Sequence, residues 1–449
     1  MFFILHIKDV VPLANLPSSP RRESGRGEIK IITHACSISD HPVSRLPMQI
    51  RENYLQGLRA VLPMNNPYMD ALFKAWESSI LGKEQALSYD TNNPKEKVKK
   101  AIKLNRIGWH WFRLVYPFFF DCFYLTSLCK PMLLDSQVGR FMEYCNFITR
   151  KRLWNVFEYF KNNKPCDKIP SELILHKTSN EKYAAVPLKR VLVVANVSAG
   201  KSTLINALIG RKLNKTATNA CTKEICHIFG KPQEDGLTIK QRKAGKLIYE
   251  DDVNKCASDE GEAIGLYLFS DLLKGKKICF IDTPGYNDVR NPERKKITEN
   301  AIKGNDYDAV MYVANAAYMG REDEQHLLET IVHNTKKPII FVMNGLDKYK
   351  PSEDSISESV TKYHGDISKL GIDHPSIIPV SARAAFLARL EKQNLLEEDE
   401  LFELEQVKRK FTNEYYDLPK YSHNAQPKTT NDMLGRTGIN LLEHVISRI

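Results

Sequence analysis

From Lys189 onward the sequence predicts an α/β fold, a mostly parallel sheet with helices on both faces, preceded by a mainly helical domain. Three observations carry this. Short apolar runs recur as RVLVVA (Arg190 to Ala195), KICFID (Lys277 to Asp282), AVMYVA (Ala309 to Ala314), PIIFVM (Pro338 to Met343) and IIPVSA (Ile377 to Ala382). Helical segments separate them, as parallel strands require, and continuous apolar strands are those covered on both faces. Before Lys189 the apolar residues Phe141, Tyr144, Cys145, Ile148, Leu153, Phe157 and Phe160 recur at spacings of three to five, the period of helices.

In chain order, residues 1–47 read as a disordered or mis-assigned N-terminal segment. Leu16 to Lys30 is rich in Pro, Ser, Gly and charge, and Met48 is an alternative start. The opening MFFILHI is apolar but too short for a secretory core, and no small-residue cleavage site follows it. Residues 48–164 form the basic helical domain. Within it Leu114 to Leu128 is the most apolar stretch, and it is short of the ~20 residues that a spanning helix needs. It reads as a buried helical hairpin, with a membrane-dipping segment as the rival. Residues 165–188, with three prolines and many polar residues, are expected to connect the two parts. In residues 189–449, Leu237 to Tyr249 (LTIKQRKAGKLIY) looks like a hairpin added to the sheet, and Leu401, Leu404, Val407 and Phe411 give a late helix one apolar stripe.

The 449 residues are 42% hydrophobic and 27% charged, which excludes a collagenous or wholly disordered chain. The net charge of +11 is unevenly placed: residues 1–190 hold 29 basic and 17 acidic residues, the remainder 36 and 37. The basic part therefore suits an anionic partner, nucleic acid or lipid headgroups. Nine scattered cysteines with no Cys-x-x-Cys pair argue for a reducing compartment and against a zinc site. Location in the cytoplasm, with peripheral membrane association, is the matching expectation.

The strongest chemical signal is ANVSAGKSTLINAL, Ala195 to Leu208, which follows a strand and opens a helix. That context makes a phosphate-binding loop, because backbone N–H groups and the helix dipole both favour an anion there. Asn196, Val197, Ser198, Ala199, Gly200, Lys201, Ser202 and Thr203 are the expected nucleotide contacts. Lys201 would reach the β- and γ-phosphates and Ser202 would bind Mg2+. Ala195 replaces the first glycine of G-x-x-x-x-G-K-S, which a methyl group allows if φ stays negative. In FIDTPGYND, Asp282 at a strand end suits a Mg2+-bound water, and the Gly285 N–H can sense the γ-phosphate. In TNACTKEI, Thr222 is the preferred switch threonine closing on Mg2+, with Thr216 and Thr218 as rivals. FVMNGLDK offers Asn344 and Asp347; a carboxylate there accepts from the N1–H and exocyclic amine of guanine and rejects adenine. PVSAR places Ser381, Ala382 and Arg383 where a backbone N–H can meet the guanine carbonyl.

This ordered set resembles the P-loop GTPases, and within them the bacterial dynamin-like proteins of the dynamin superfamily. The resemblance is carried by VSAGKSTLINAL, NACTKEI, IDTPGYND, VMYVANAAYMGREDE and IIFVMNGLDKYKPSED, and it spans Lys189 to about Ile449. It implies Mg2+-dependent hydrolysis of GTP, coupled to dimerisation across the nucleotide face and to membrane association or remodelling. Lys201, Ser198, Thr222 and Gly285 would then be the catalytic set, with Ser198 helping to hold a monovalent cation (K+ or Na+) and Thr222 positioning the attacking water. Tyr286 follows Gly285, so no glutamine stands where small GTPases orient their water. Gly345 stands where the base-recognition motif normally has lysine, with Lys348 as a partial substitute. LGRTGINLLEHVISRI looks like the closing helix of the GTPase domain, and the family's long stalk is not among these residues. An RNA-linked ribosome-assembly GTPase, or a nucleotide-binding module with little hydrolysis, are the alternative expectations.

Overall fold

The computed structural model describes residues 38, 40–62, 67–82, 87–103, 105–107, 110–112, 114–129, 131–213, 224–234, 238–242, 247–250, 261–287, 291–423 and 432–449. Leu16 to Lys30 and the three threonines Thr216, Thr218 and Thr222 lie outside them.

The first part is built of helices α1 (Met48–Val61), α2 (Pro67–Leu81), α3 (Pro94–Ala101), α4 (Val115–Cys129), α5 (Leu134–Tyr144) and α6 (Phe147–Asn162). One short antiparallel pair, β1 (Asn105–Ile107) with β2 (His110–Phe112), interrupts them. The apolar stretch expected as a helical hairpin is a single helix, α4. Its Pro117 falls in the first turn, where no intrahelical N–H is lost, so nothing breaks the run. Apolar around its whole circumference, α4 is the axis of the core, with Phe118, Phe119, Phe120 and Phe123 fully buried. Phe119 meets Phe141 at 5.1 Å and Phe123 meets Phe157 at 5.8 Å between ring centroids, in the tilted geometry that aromatic quadrupoles favour. The expected stripe is split by the break at Cys145 and Asn146: Phe141, Leu153 and Phe157 are buried, but Ile148 is exposed.

Residues 165–188, expected to be a connection, instead carry helix α7 (Ser171–Ala185). Its His176, Asn180 and Tyr183 are buried. Asn180 Nδ2 donates to the Tyr124 hydroxyl at 3.0 Å, and the Tyr183 hydroxyl donates to the Gly230 carbonyl. The helix therefore joins the helical core to the sheet. Polar letters in the sequence hid it because they bond inward.

Among the described residues the second part is a mixed sheet of nine strands. Its strands are β3 (Lys189–Ala195), β4 (Cys226–Gly230), β5 (Thr238–Arg242), β6 (Leu247–Glu250), β7 (Gly261–Leu266), β8 (Ile278–Asp282), β9 (Ala309–Asn315), β10 (Ile339–Asn344) and β11 (Ser376–Val380), in the order β11-β10-β9-β3-β8-β4-β7-β5-β6. β11, β10, β9, β3 and β8 are mutually parallel. β4 reverses direction against β8, and the hairpin of β5 and β6 extends the antiparallel side. Helices α8 (Lys201–Ile209), α9 (Glu293–Gly304), α10 (Glu322–Asn334), α11 (Ile356–Lys369), α12 (Ala382–Lys392), α13 (Glu398–Phe411), α14 (Met433–Arg436) and α15 (Ile439–Ile446) accompany it. On α13, Leu404 and Phe411 are buried, but Leu401 is exposed, so the expected stripe is narrower. The parallel register brings Ala195, Asp282, Asn315, Asn344 and Val380 to one edge. In open α/β sheets, that carboxyl edge is where ligands bind.

Candidate functional site

The loop between β3 and α8 is shaped by its backbone. Gly200 is left-handed at φ +85°, and a Cβ there would lie 2.2 Å from Asn344 Nδ2, so only glycine fits. Ser198 is also left-handed, at φ +65°, and exposed. Ala195 is the last residue of β3, so its extended backbone takes a methyl group without strain. Its carbonyl accepts from Tyr286 N–H at 3.0 Å, which pins the Asp282–Gly285 turn against the loop. Gly285 is needed for that approach, because a Cβ would stand 2.8 Å from Val197 Cγ2 and 3.2 Å from Val197 Cα. Thr283 Oγ1 donates to Val193 O at 2.8 Å and fixes the turn from the other side.

Lys201 and Asp282 form a buried ion pair at the centre. Ser202 and Thr203 follow on the first turn of α8, half-buried. Asn344 bridges two motifs: its Nδ2 donates to Ala199 O at 3.0 Å, and its Oδ1 accepts from Ala382 N–H at 3.0 Å. Asn344 therefore acts on the loops, and the Ala382 N–H is already engaged. Asn315 does the same work one strand over, donating to Ser198 O at 3.1 Å. Sequence reasoning missed it. The signal was present, since β9 and β10 both end in asparagine and the two residues are register partners.

Gly345 is left-handed at φ +87°, a backbone in which a lysine would be strained. After it come the half-buried Asp347 and the exposed Lys348, and the Asp347 carbonyl accepts from Lys410 Nζ of α13. Ser381 is buried and caps α12 through Ala384 N–H at 3.3 Å. The Arg383 guanidinium is clamped by Glu403, Nε to Oε1 at 3.0 Å and Nη2 to Oε2 at 2.5 Å. That hydrogen bond raises the arginine above its ordinary pKa and leaves only its backbone for a ligand.

A cavity of about 310 Å³ adjoins the loop, lined by Asn196, Val197, Ser198, Tyr312, Arg321 and Glu324 among others. Glu324 is buried, and burial pushes its carboxyl up to about 7 although Gly320 N–H and the Tyr312 hydroxyl donate to it at 2.8 and 3.3 Å. Tyr286 is buried, its phenol pushed up to about 12 by burial and held by Glu299 at 2.9 Å. Thr222, the preferred switch threonine, lies outside the described residues. The other motif residues converge on one edge.

Residues 191–346 match the model of the Dynamin family. The probable transmembrane GTPase FZO-like, chloroplastic, of Arabidopsis thaliana is 26% identical over 212 residues, 47% of this chain and 21% of that protein. A bacterial dynamin-like protein of Nostoc punctiforme is 26% identical over 253 residues, 51% of this chain and 34% of that protein. A crystal structure of an Aquifex aeolicus Era variant bound to GDP.AlF4- is 21% identical, covers 47% of this chain and 56% of that one, and has a TM-score of 0.29. The chain spans between 21% and 55% of the length of the first three curated relatives it matches.

Proposed function

We propose, from the premise that this chain carries a P-loop GTPase domain of the dynamin superfamily, that it binds GTP and hydrolyses it to GDP and phosphate by in-line attack of water. The observation that carries this reading is the convergence at Asn344, where one side chain ties the phosphate loop at Ala199 to the base-recognition segment at Ala382. A ligand with a polyphosphate at one end and a purine at the other fits such a joint. Asn196 to Thr203 receive the phosphates through backbone N–H groups and the start of α8. Lys201 places its charge on the β- and γ-phosphates. Asp347 accepts from the guanine edge, while Ser381, Ala382 and Arg383 form the wall behind the base. Gly285 N–H meets the γ-phosphate. Catalysis comes from positioning and charge neutralisation, since no side-chain base is needed for the loose transition state.

The donor set fits Mg2+, with the hydroxyl of Ser202 and the carboxylate of Asp282 as hard oxygen ligands and Thr222 as the third residue. When bound, the ion supplies charge neutralisation on the phosphate oxygens. Ser198 adds an oxygen at the loop crest for a monovalent cation (K+ or Na+).

The reading extends to dimerisation across the nucleotide face and association with an anionic membrane. The charge excess of residues 1–190 supports the second, as does α6, where Phe147, Lys151 and Trp154 share one helical face beside Ile148. Phe147 is 84% exposed and Ile148 63%. Apolar residues beside cations on one face are the chemistry of an interfacial helix. Among the described residues no helix is long and apolar enough to cross a membrane.

The test is GTP turnover measured against protein concentration, with and without anionic liposomes. Turnover no higher than that of Lys201→Ala removes the hydrolysis claim. Turnover indifferent to concentration and to liposomes removes dimerisation and membrane coupling and leaves a GTPase. RNA that co-purifies with steep salt dependence would favour the ribosome-assembly reading instead. Asp347→Asn should move the base preference from guanosine towards xanthosine triphosphate in competition binding, and an unchanged preference places the base contact elsewhere.

A further inference from the structure

A second cavity, of about 530 Å³, lies at the opposite end of the sheet from the phosphate loop. Its walls come from the last turns of α7, the start of β3, the Gly275–Ile278 segment that leads into β8, and the end of α15. β3 separates it from the nucleotide edge by its seven residues, roughly 20 Å at ~3.3 Å per residue. It therefore belongs to neither the nucleotide nor the ion site.

The lining has two parts. Tyr183, Ile278 and Ile446 are buried and give it an apolar floor, with Pro232 beside them and the exposed Val186 and Pro187 at its mouth. Lys182, Lys189, Lys276, Lys277 and Arg448 also line it; no aspartate or glutamate side chain does, and Ile449 brings the terminal carboxyl of this sequence. Two of the cations are engaged in holding the walls. Lys277 Nζ donates to Ala184 O at 2.9 Å, satisfying the C-terminal end of α7, and lies over the Tyr183 ring at 5.7 Å. Lys276 Nζ reaches Ser447 O at 3.5 Å. Among the described residues no ion pair is formed by Lys182, Lys189, Lys276 or Arg448. The domain carrying the sheet is otherwise close to electrical balance, with 36 basic and 37 acidic residues beyond Arg190. Five cations around one cavity, against the single terminal carboxyl of Ile449 on the same lining, therefore stand apart from their surroundings.

We propose that this cavity binds an amphipathic monoanion, a long acyl chain carrying one anionic head, with the hydrocarbon against Tyr183, Val186, Pro232 and Ile446 and the head among Lys182, Lys189 and Arg448. The volume lies within the ~300–1,000 Å³ of small-molecule sites, and an apolar interior with a few charged groups is their usual chemistry. A polyanion such as a nucleotide fits less well, because the interior offers hydrocarbon where a sugar and base need polar partners. The site depends on no part of the GTPase reading, since none of its lining residues belongs to the nucleotide edge.

The test uses the full chain and cis-parinaric acid, an 18-carbon acyl monoanion whose fluorescence rises in apolar surroundings. Saturable binding of one parinarate per chain is expected, with its methyl ester at least about tenfold weaker because the head charge is lost. The double variant Lys182→Glu/Arg448→Glu should weaken binding by about tenfold or more, and Val186→Trp should weaken it by obstructing the mouth of the cavity. GTP binding by both variants, unchanged within about twofold, shows that they are folded, since their sites are roughly 20 Å from the loop. Competition by oleate alone assigns a carboxylate head, and competition by oleoyl lysophosphatidate as well admits a phosphate head; both support the proposal. No saturable binding overturns it, as does binding that neither variant changes, and as does a methyl ester that binds as tightly as the acid.

Discussion

The buried polar groups at the nucleotide edge and those in the helical region are bonded on different plans. At the edge, side-chain amides hold backbone: Asn315 takes Ser198 O, and Asn344 takes Ala199 O and Ala382 N–H. In the helical region, polar side chains hold one another. The Tyr54 hydroxyl donates to Asp121 Oδ2 at 2.6 Å, and His41 Nε2 lies 3.0 Å from the same oxygen. Val43 N–H donates to His41 Nδ1 at 3.2 Å, so the ring proton sits on Nε2 and points at Asp121. Asp121 Oδ1 is buried with no partner among the described residues. The first plan shapes loops, and beside it Lys201 and Asp282 pair with each other. The second consumes its side chains in fixing one core, which is why the same residue types mean chemistry in one place and stability in the other.

This contrast can be broken by single substitutions. The largest expected effect is Lys201→Ala, which should lower GTP turnover by about 10³-fold or more, since a charge placed on the transferring phosphoryl group is removed. Phosphate release under single-turnover conditions reads it, and a loss below tenfold would remove Lys201 from the catalytic set.

Glu324 tests whether the edge stores instability. Its folded pKa of about 7 stands above the usual carboxylate value, so the folded state holds a proton that the unfolded state has lost. Stability therefore falls as pH rises from about 4.5 to about 7, by at most about 3 kcal/mol for this shift. Glu324→Gln, compared with the parent in urea unfolding at pH 5 and pH 8, should flatten that fall. An equal fall in both proteins would place its origin elsewhere.

Asn344→Ala should weaken GTP affinity by about 10- to 100-fold, because two bonds that hold the loops are lost together, about 1.4–2.8 kcal/mol. Unchanged affinity in a fluorescent-nucleotide titration would mean that the loops hold their shape without it. Tyr54→Phe should be smallest, destabilising by about 1–2 kcal/mol in chemical unfolding and leaving GTP affinity unchanged. A change in affinity would show that the helical core and the nucleotide edge are coupled, and the contrast would fail.

The motifs around Lys201, Asp282, Asn344 and Ser381 were legible because each is a local event, a short polar segment after an apolar strand. The strand positions were legible for the same reason, and the hairpin of β5 and β6 announced itself by its midway glycine. The reversal of β4 was not legible, because strand direction depends on the partner, and β4 pairs with β8 some fifty residues away. α4 misled through Pro117, whose effect depends on where the helix begins. α7 misled through its polar residues, whose partners Tyr124, Gly230 and Gln233 lie in other elements.

By itself the sequence determined the motifs and their order, since Ala195 to Leu208, Asp282 to Gly285 and Asn344 to Asp347 are each written in consecutive residues. The tertiary structure decided how they are held together. The Asn344 bond to Ala199 joins residues 145 apart, and the Asn315 bond to Ser198 joins residues 117 apart. It also decided that five cations scattered from Lys182 to Arg448 surround one cavity. Such relations follow from strand order and helix packing, which no stretch of consecutive residues contains.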